Sequence, residues 1–198
     1  MKTQTKGDVS ILEAIQKAQW IIDQLPIRYF GDSILYSPCK AITQKEFGTK
    51  KLKASATKLI KTLKAYRKET GTGRGLAANQ IGIGKRMICI WLGDDPEVFC
   101  NPQVISTTGK GSYWESCLSS GSLLIGQVIR PWQGKFKYWD LEGKVHTLDA
   151  NEKQTRLFLH EMQHLDGGVC TELYEPGTIR FIRGGKEEVL GYKFERIN

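Results

Sequence analysis

The segment His160-Glu161-Met162-Gln163-His164 constrains this chain more than any other. Two imidazoles can bind one metal ion when they lie on the same face of an α-helix, and a spacing of four residues meets that condition. Glu161 follows the first histidine, where a carboxylate can handle the protons of a metal-bound water. The alternative is a helix with two surface histidines, but these are two of only three histidines in the chain. The segment therefore predicts a metal-binding helix.

A catalytic metal site also needs a third protein ligand and an open position for water. No histidine follows His164, and the nearby carboxylates of Glu172 and Glu175 lie beyond the expected end of the helix. Upstream, Cys117 lies in the segment Glu115-Ser116-Cys117-Leu118-Ser119, and a thiolate is a strong soft ligand. A single cysteine is commonly just a small buried hydrophobic residue, so these residues alone leave the third ligand open.

A glycine-rich segment, Gly73-Arg74-Gly75-Leu76-Ala77-Ala78-Asn79-Gln80, is the third notable feature. Its glycines allow close backbone approach and unusual φ and ψ values. A phosphate-binding loop is disfavoured because the segment lacks a Lys-Ser/Thr ending and because the expected helix precedes it. The segment is therefore expected to form a shaped loop.

Length and composition limit the class of protein. A chain of 198 residues fits one domain, 1–198, and 40% hydrophobic with 25% charged residues is ordinary for a globular protein. No stretch approaches the roughly 20 apolar residues of a membrane helix, and no secretory signal is expected. Five cysteines at scattered positions argue against a disulfide scaffold and predict a reducing compartment.

The net charge of +8 is confined to the first third of the chain. Residues 1–70 hold 14 basic and 6 acidic side chains, whereas residues 71–198 hold 15 of each. One interpretation is a solvated helix face, and the other is a surface that binds a polyanion. No nucleic-acid motif accompanies the charge, so DNA binding is not expected.

Apolar periodicity divides the chain into helical ends and a β-rich middle. A capping-box pattern of Ser10 and Glu13 predicts a helix over 10–24, and an apolar stripe between lysines predicts a second over 50–69. Asp149 is expected to start a third helix that runs through Leu165. Strands are expected at 86–91, 97–100, 103–107, 124–130, 135–140 and 144–148, and in the tail at Leu190, Tyr192 and Phe194. This order predicts an α+β fold.

The three segments occur together and in order, and here the chain resembles the peptide deformylase family. Residues 73–80 match the family's first motif completely, residues 115–119 match the second except that Ser116 replaces a glycine, and residues 160–165 match the third. Smaller matches are Asp32-Ser33-Ile34-Leu35, Asn101-Pro102 and Arg130-Pro131. The resemblance spans residues 30–170. It implies N-terminal helices and mixed or antiparallel sheets around a central helix that carries residues 160–164.

The resemblance implies an enzyme that hydrolyses the N-formyl group from the first methionine of nascent polypeptides and releases formate. It implies one divalent metal ion held by Cys117, His160 and His164, often Fe(II), with zinc, nickel or cobalt also used. Glu161 would move the proton of the attacking water to the leaving amine. The Gln80 amide and the Leu118 N–H would stabilise the tetrahedral oxyanion. The residues expected to contact the substrate are Gly73, Arg74, Gly75, Glu115 and Arg156.

Four departures from the family pattern bear on specificity. Ser116 lies beside the thiolate, and Ser120-Gly121-Ser122 replaces an apolar residue and a proline. Leu159 and Gln163 replace glutamine and aspartate. Lys153 and Arg156 lie seven and four residues before His160, where most relatives have apolar residues of the methionine pocket. These two cations could narrow the pocket, favour an acidic or polar group, or point outward.

Three other interpretations stay open at this point. The chain could be an amidase with altered N-acyl or side-chain specificity, a non-catalytic binding module with the same fold, or an ordinary zinc endopeptidase. The intact Glu161 argues against a binding module, and the absence of a downstream ligand argues against the endopeptidase.

Partners and location follow from the same resemblance. The expected partners are the nascent formyl-Met polypeptide and, through the basic helix within residues 1–70, the ribosome. DNA and membranes are not expected partners. The expected location is bacterial-type cytoplasm, with an organelle as the alternative.

Overall fold

The computed structural model describes residues 11–183 and 185–197. Helix α1 spans Ile11–Gln24, and the expected cap at Ser10 lies outside the described residues. Helix α2 spans Lys50–Thr70, begins at the side-chain cap of Thr49 and ends at Gly71 in a left-handed conformation, as its sequence predicted. The apolar stripe of α2 is buried and most of its lysines face solvent. No helix in residues 11–183 and 185–197 is both long and apolar enough to span a membrane.

A five-stranded sheet forms one layer, with strand order β1-β2-β3-β6-β7. Its strands are β1 (Gly75–Ala77), β2 (Met87–Trp91), β3 (Pro96–Thr108), β6 (Gln133–Trp139) and β7 (Val145–Ala150). All four pairings are antiparallel. The predicted strands at 97–100 and 103–107 are one continuous strand, because β3 passes through Asn101 with a register shift instead of a turn. The expected hairpin joins β6 to β7.

A four-stranded antiparallel sheet forms the second layer, in the order β8-β5-β4-β9. Its strands are β4 (Lys110–Ser116), β5 (Leu124–Arg130), β8 (Arg180–Phe181) and β9 (Glu195–Ile197). The predicted tail strand is wrong at Leu190, which belongs to a short helix α4 (Gly185–Gly191). The apolar spacing of two in the tail instead reflects aromatic packing, with Tyr192 stacked on Trp114 and Phe194 against Tyr113.

Helix α3 (Glu152–Leu165) connects the two layers. Its N-cap is Asn151, whose side chain accepts from the Gln154 N–H, so the predicted cap at Asp149 is wrong by two residues. Phe158 stacks on Phe136 and meets Phe99 edge-on, with ring centroids 4.7 and 4.8 Å apart, which fixes α3 on the five-stranded sheet. The opposite face of α3 forms hydrogen bonds to β4 and β5, as described next.

Candidate metal and catalytic site

A buried carboxylate holds the first histidine of α3 in place. The Glu115 Oε2 atom on β4 lies 2.7 Å from the His160 Nδ1 atom, and Glu115 is fully buried. Arg130 on β5 donates two hydrogen bonds to the same carboxylate, from Nε at 2.7 Å and from Nη2 at 2.9 Å. Such a second partner fixes the ring orientation and the tautomer of a metal-binding histidine.

Electrostatics keep that carboxylate ionised. Burial alone would raise the pKa of Glu115, but the Arg130 guanidinium and the His160 imidazole outweigh it and hold the pKa well below its usual range. Gln163 extends the network, because its Oε1 accepts from Arg130 Nη2 at 2.9 Å and its Nε2 donates to the Val169 carbonyl at 2.8 Å. The replacement of aspartate by Gln163 therefore keeps a hydrogen bond to the arginine.

The Cys117 sulfur is surrounded by donors. Cys117 is fully buried at the end of β4, where a 3₁₀ turn, Leu118–Ser120, begins. Its Sγ atom accepts from the Ser119 N–H and from Gln80 Nε2, both at 3.4 Å. The Nε2 atom of His164 lies 3.2 Å from the same sulfur. Ser116, considered above as a donor to sulfur, instead lines a neighbouring cavity.

Cys170 is a site residue that sequence reasoning missed and treated as structural. Its ligand atom lies with those of Cys117 and His160 in a group whose members are all within 4.8 Å of one another, and all three residues are buried. The Cys170 thiol donates to the Tyr174 hydroxyl at 3.4 Å, and that hydroxyl donates to the Glu115 carbonyl at 2.7 Å. The close approach arises where the chain turns back after α3, and no local pattern in the sequence signals it.

Glu161 is a buried carboxylate with an unused oxygen. Its Oε2 atom has no hydrogen-bond partner within the described part of the chain. Burial raises the pKa of Glu161 to about 7, so the group can both accept and release a proton near neutrality. A Cβ atom at Gly75 of β1 would overlap the Glu161 carboxylate, so this position requires glycine.

A cavity of about 450 Å³ opens beside Glu161 and His160. Gly73, Arg74 and Gly75 line it, and so does Arg156. Glu115 does not fit its predicted role in substrate contact, because its carboxylate is fully buried and occupied by Arg130 and His160. Lys153 is exposed and is not among the lining residues.

The donor set suits one transition-metal ion. Thiolate and imidazole together bind zinc, iron, nickel and cobalt. The Glu115 contact leaves the other ring nitrogen of His160 available for a metal. Cys117 lies close to His160, His164 and Cys170, so four donors converge where three and an open position suffice for catalysis. These residues fit a metal ion, and they define the class as a metal-dependent hydrolase whose helix carries the ligands and the base.

Comparison with known proteins identifies the family. A family model described as polypeptide deformylase matches residues 24–177. A peptide deformylase of Lachnoclostridium phytofermentans is 35% identical over 172 residues, which cover 85% of this chain and 95% of that protein. One from a Thermoanaerobacter species is 30% identical over 84% of this chain and 92% of that protein. The chain therefore belongs to the peptide deformylase family and is a hydrolase of that type.

Solved structures show the same fold. The crystal structure of peptide deformylase from Thermotoga maritima matches with a TM-score of 0.68 and 28% identity, over 76% of this chain and 97% of that one. A Synechococcus elongatus deformylase in complex with actinonin matches with a TM-score of 0.68 and 30% identity, over 77% of this chain and 82% of that one. The predicted α+β deformylase fold is confirmed.

Proposed function

We propose that this enzyme removes the N-formyl group from the N-terminal methionine of nascent polypeptides by metal-assisted hydrolysis. The observation that carries the proposal is the Glu161 carboxylate, which is buried, has a free oxygen and faces the cavity next to His160. An ordinary endopeptidase is disfavoured by the family match across residues 24–177.

The proposed ligands are Cys117, His160 and His164. The His164 Nε2 atom and the Cys117 sulfur lie 3.2 Å apart, and His160 is held towards them by Glu115. Fe(II) is the proposed native ion, with zinc, nickel or cobalt as functional substitutes. When bound, the ion lowers the pKa of a water molecule and polarises the formyl oxygen.

Glu161, Gln80 and Leu118 are the proposed catalytic residues. Glu161 accepts the proton of the attacking water and delivers it to the leaving amine, which its pKa of about 7 supports. The Gln80 amide is oriented by its own Oε1 atom, which accepts from the Ala77 N–H at 2.7 Å. Leu118 begins a 3₁₀ turn, and the first N–H groups of such a turn lack an acceptor within it. Both donors suit an oxyanion at the end of the cavity.

The edge of the five-stranded sheet is the proposed binding surface for the peptide. Strand β1 is the end strand in the sheet order and pairs only with β2 among the described strands. Its free edge can add an extended peptide through backbone hydrogen bonds. Gly75 in this strand lies against Glu161, which places the backbone of the peptide beside the catalytic carboxylate.

Release of formate from formyl-Met peptides tests the proposal. Protein purified without oxygen and analysed for metal is assayed with formyl-Met peptides that vary in the second residue. Formate release that depends on the metal supports the proposal. A metal-loaded sample that releases no formate from any of these peptides would refute it.

The exposed lysines of α2 support a proposal about location. Lys51, Lys58 and Lys61 are exposed, and no ion pair holds them within the described part of the chain. We infer that this helix of the basic N-terminal part, 1–70, docks transiently on ribosomal RNA in a bacterial-type cytoplasm, and that 1–198 forms one catalytic domain. Co-sedimentation with ribosomes should weaken with salt and with charge reversal at these three lysines, and a result insensitive to both would refute the docking.

A further inference from the structure

Arg156 is a desolvated cation that lacks a polar partner. Its guanidinium lies 5.3 Å from the centre of the Phe194 ring, and its Nε atom is buried without a hydrogen bond. No ion pair joins it to a carboxylate within residues 11–183 and 185–197. Burial lowers the pKa of Arg156, which shows that the protein alone compensates this charge poorly.

The cavity that Arg156 lines is strongly cationic. Arg67, Arg74 and Lys186 also line it, whereas Glu161 is the one carboxylate among the described lining residues. Arg67 is already engaged, because its Nη1 donates to the Gly73 carbonyl at 3.1 Å and its guanidinium lies over Trp91. Arg74 Nη2 donates to the Trp91 carbonyl at 3.4 Å. Arg156 is thus the cation of this wall whose donors are left for a ligand.

The position of Arg156 relates it to the reacting group. It precedes His160 by one turn of α3, so both side chains lie on one face of the helix and border the same cavity. A guanidinium presents planar, paired donors that match a carboxylate and strengthen when water is excluded. A substrate that carries an acid close to its formyl group would place the two together.

We propose that Arg156 binds a carboxylate of the substrate, so that the enzyme prefers N-formyl peptides with an acidic side chain at the first or second residue. The inference rests on the proposed deformylase function. A cavity of about 450 Å³ holds one such side chain beside the peptide backbone. Removal of the charge from the substrate would leave the buried guanidinium unpaired and would therefore reduce turnover.

Matched peptides separate the two positions. The four peptides formyl-Glu-Ala-Ser, formyl-Gln-Ala-Ser, formyl-Met-Glu-Ser and formyl-Met-Gln-Ser differ within each pair only in carboxylate against amide. The Glu-to-Gln ratio of kcat/KM should be about tenfold or more for one pair, as expected for a charge-assisted hydrogen bond. The pair that shows it identifies the residue that Arg156 contacts.

Variants assign the preference to one side chain. Arg156→Met should bring the ratio close to one, and Arg156→Lys should retain part of it. Lys153→Met is the matched control, because Lys153 is an exposed cation of the same helix that does not line the cavity, and its ratio should equal that of the unchanged enzyme.

The outcomes distinguish this inference from the proposed function. Formate release with a ratio near one for both pairs would overturn the role of Arg156 and leave the deformylase function standing. The same holds if Lys153→Met abolishes the preference as fully as Arg156→Met does. Failure to release formate from every peptide would overturn the proposed function itself.

Discussion

Replacement of Glu115 by glutamine tests whether the buried network positions the metal-binding helix. The carboxylate accepts hydrogen bonds of 2.7 and 2.9 Å from Arg130 and contacts His160 Nδ1 at 2.7 Å, with no exposure to solvent. Glutamine has the same shape but turns an amide donor towards these donors and leaves the guanidinium without its counter-charge. Loss of one partner of a buried pair costs about 3–5 kcal/mol. For a chain of this size that loss corresponds to about 6–20 °C in Tm.

The assay separates stability from metal binding. Denaturant unfolding of the metal-free protein gives the change in the free energy of unfolding, and competition with a chelator gives the metal affinity. The loss of an outer partner of a ligating histidine should weaken metal affinity about 10–100-fold. Glu142→Gln is the matched control, because Glu142 pairs with Lys53 at 2.6 Å but is 64% exposed. That exposed pair should contribute no more than about 1 kcal/mol.

Acidification tests the same charge with the opposite sign. The pKa of Glu115 in the folded protein lies well below its ordinary value of 4.5, so its stabilisation is complete at neutral pH. It is lost as the pH falls below 4.5 towards the folded pKa, and the stabilities of Glu115→Gln and unchanged protein should converge there. A variant that unfolds like the Glu142→Gln control, and binds metal within about threefold of the unchanged protein, would refute the positioning role.

Three further substitutions test individual site residues. Glu161→Ala should keep the bound metal and lose turnover, as metal analysis and formate release will show, and loss of the metal would make Glu161 structural. Cys117→Ser should lose most of the metal whereas Cys170→Ser should retain it, and equal losses would place Cys170 among the ligands. Gly75→Ala should keep metal and fold but displace the Glu161 carboxylate, which lowers kcat by about 100-fold or more for a shift near 1 Å. Unchanged kcat in Gly75→Ala would show that the carboxylate tolerates the added Cβ.

Elements with strong local signals were predictable from the sequence. Helix α2 and helix α3 were expected because apolar periodicity, caps and a terminal glycine all agree in each. The hairpin between β6 and β7 was expected from the turn at Leu141-Glu142-Gly143. In these segments the structure is decided by neighbouring residues, which a single sequence shows directly.

Elements that depend on distant partners were not predictable. Strand β1 has three residues in a glycine-rich segment and exists because Leu76 pairs with Cys89 of β2. Strand β4 was missed, although it carries Glu115, because its residues gain their role only from β5 and α3. The tail pattern was misread because alternation in sequence can reflect aromatic contacts outside a sheet.

Hydrogen-bond directions distinguish the two thiols that meet at the site. Two N–H donors, from Ser119 and Gln80, point at the Cys117 sulfur, as suits a thiolate. The Cys170 sulfur instead donates to Tyr174, whose own proton goes to the Glu115 carbonyl. A group that must donate keeps its proton, whereas a metal ligand must lose it. The arrangement therefore favours Cys117 as the sulfur ligand, and it leaves the fourth position beside Glu161 open for water, as hydrolysis requires.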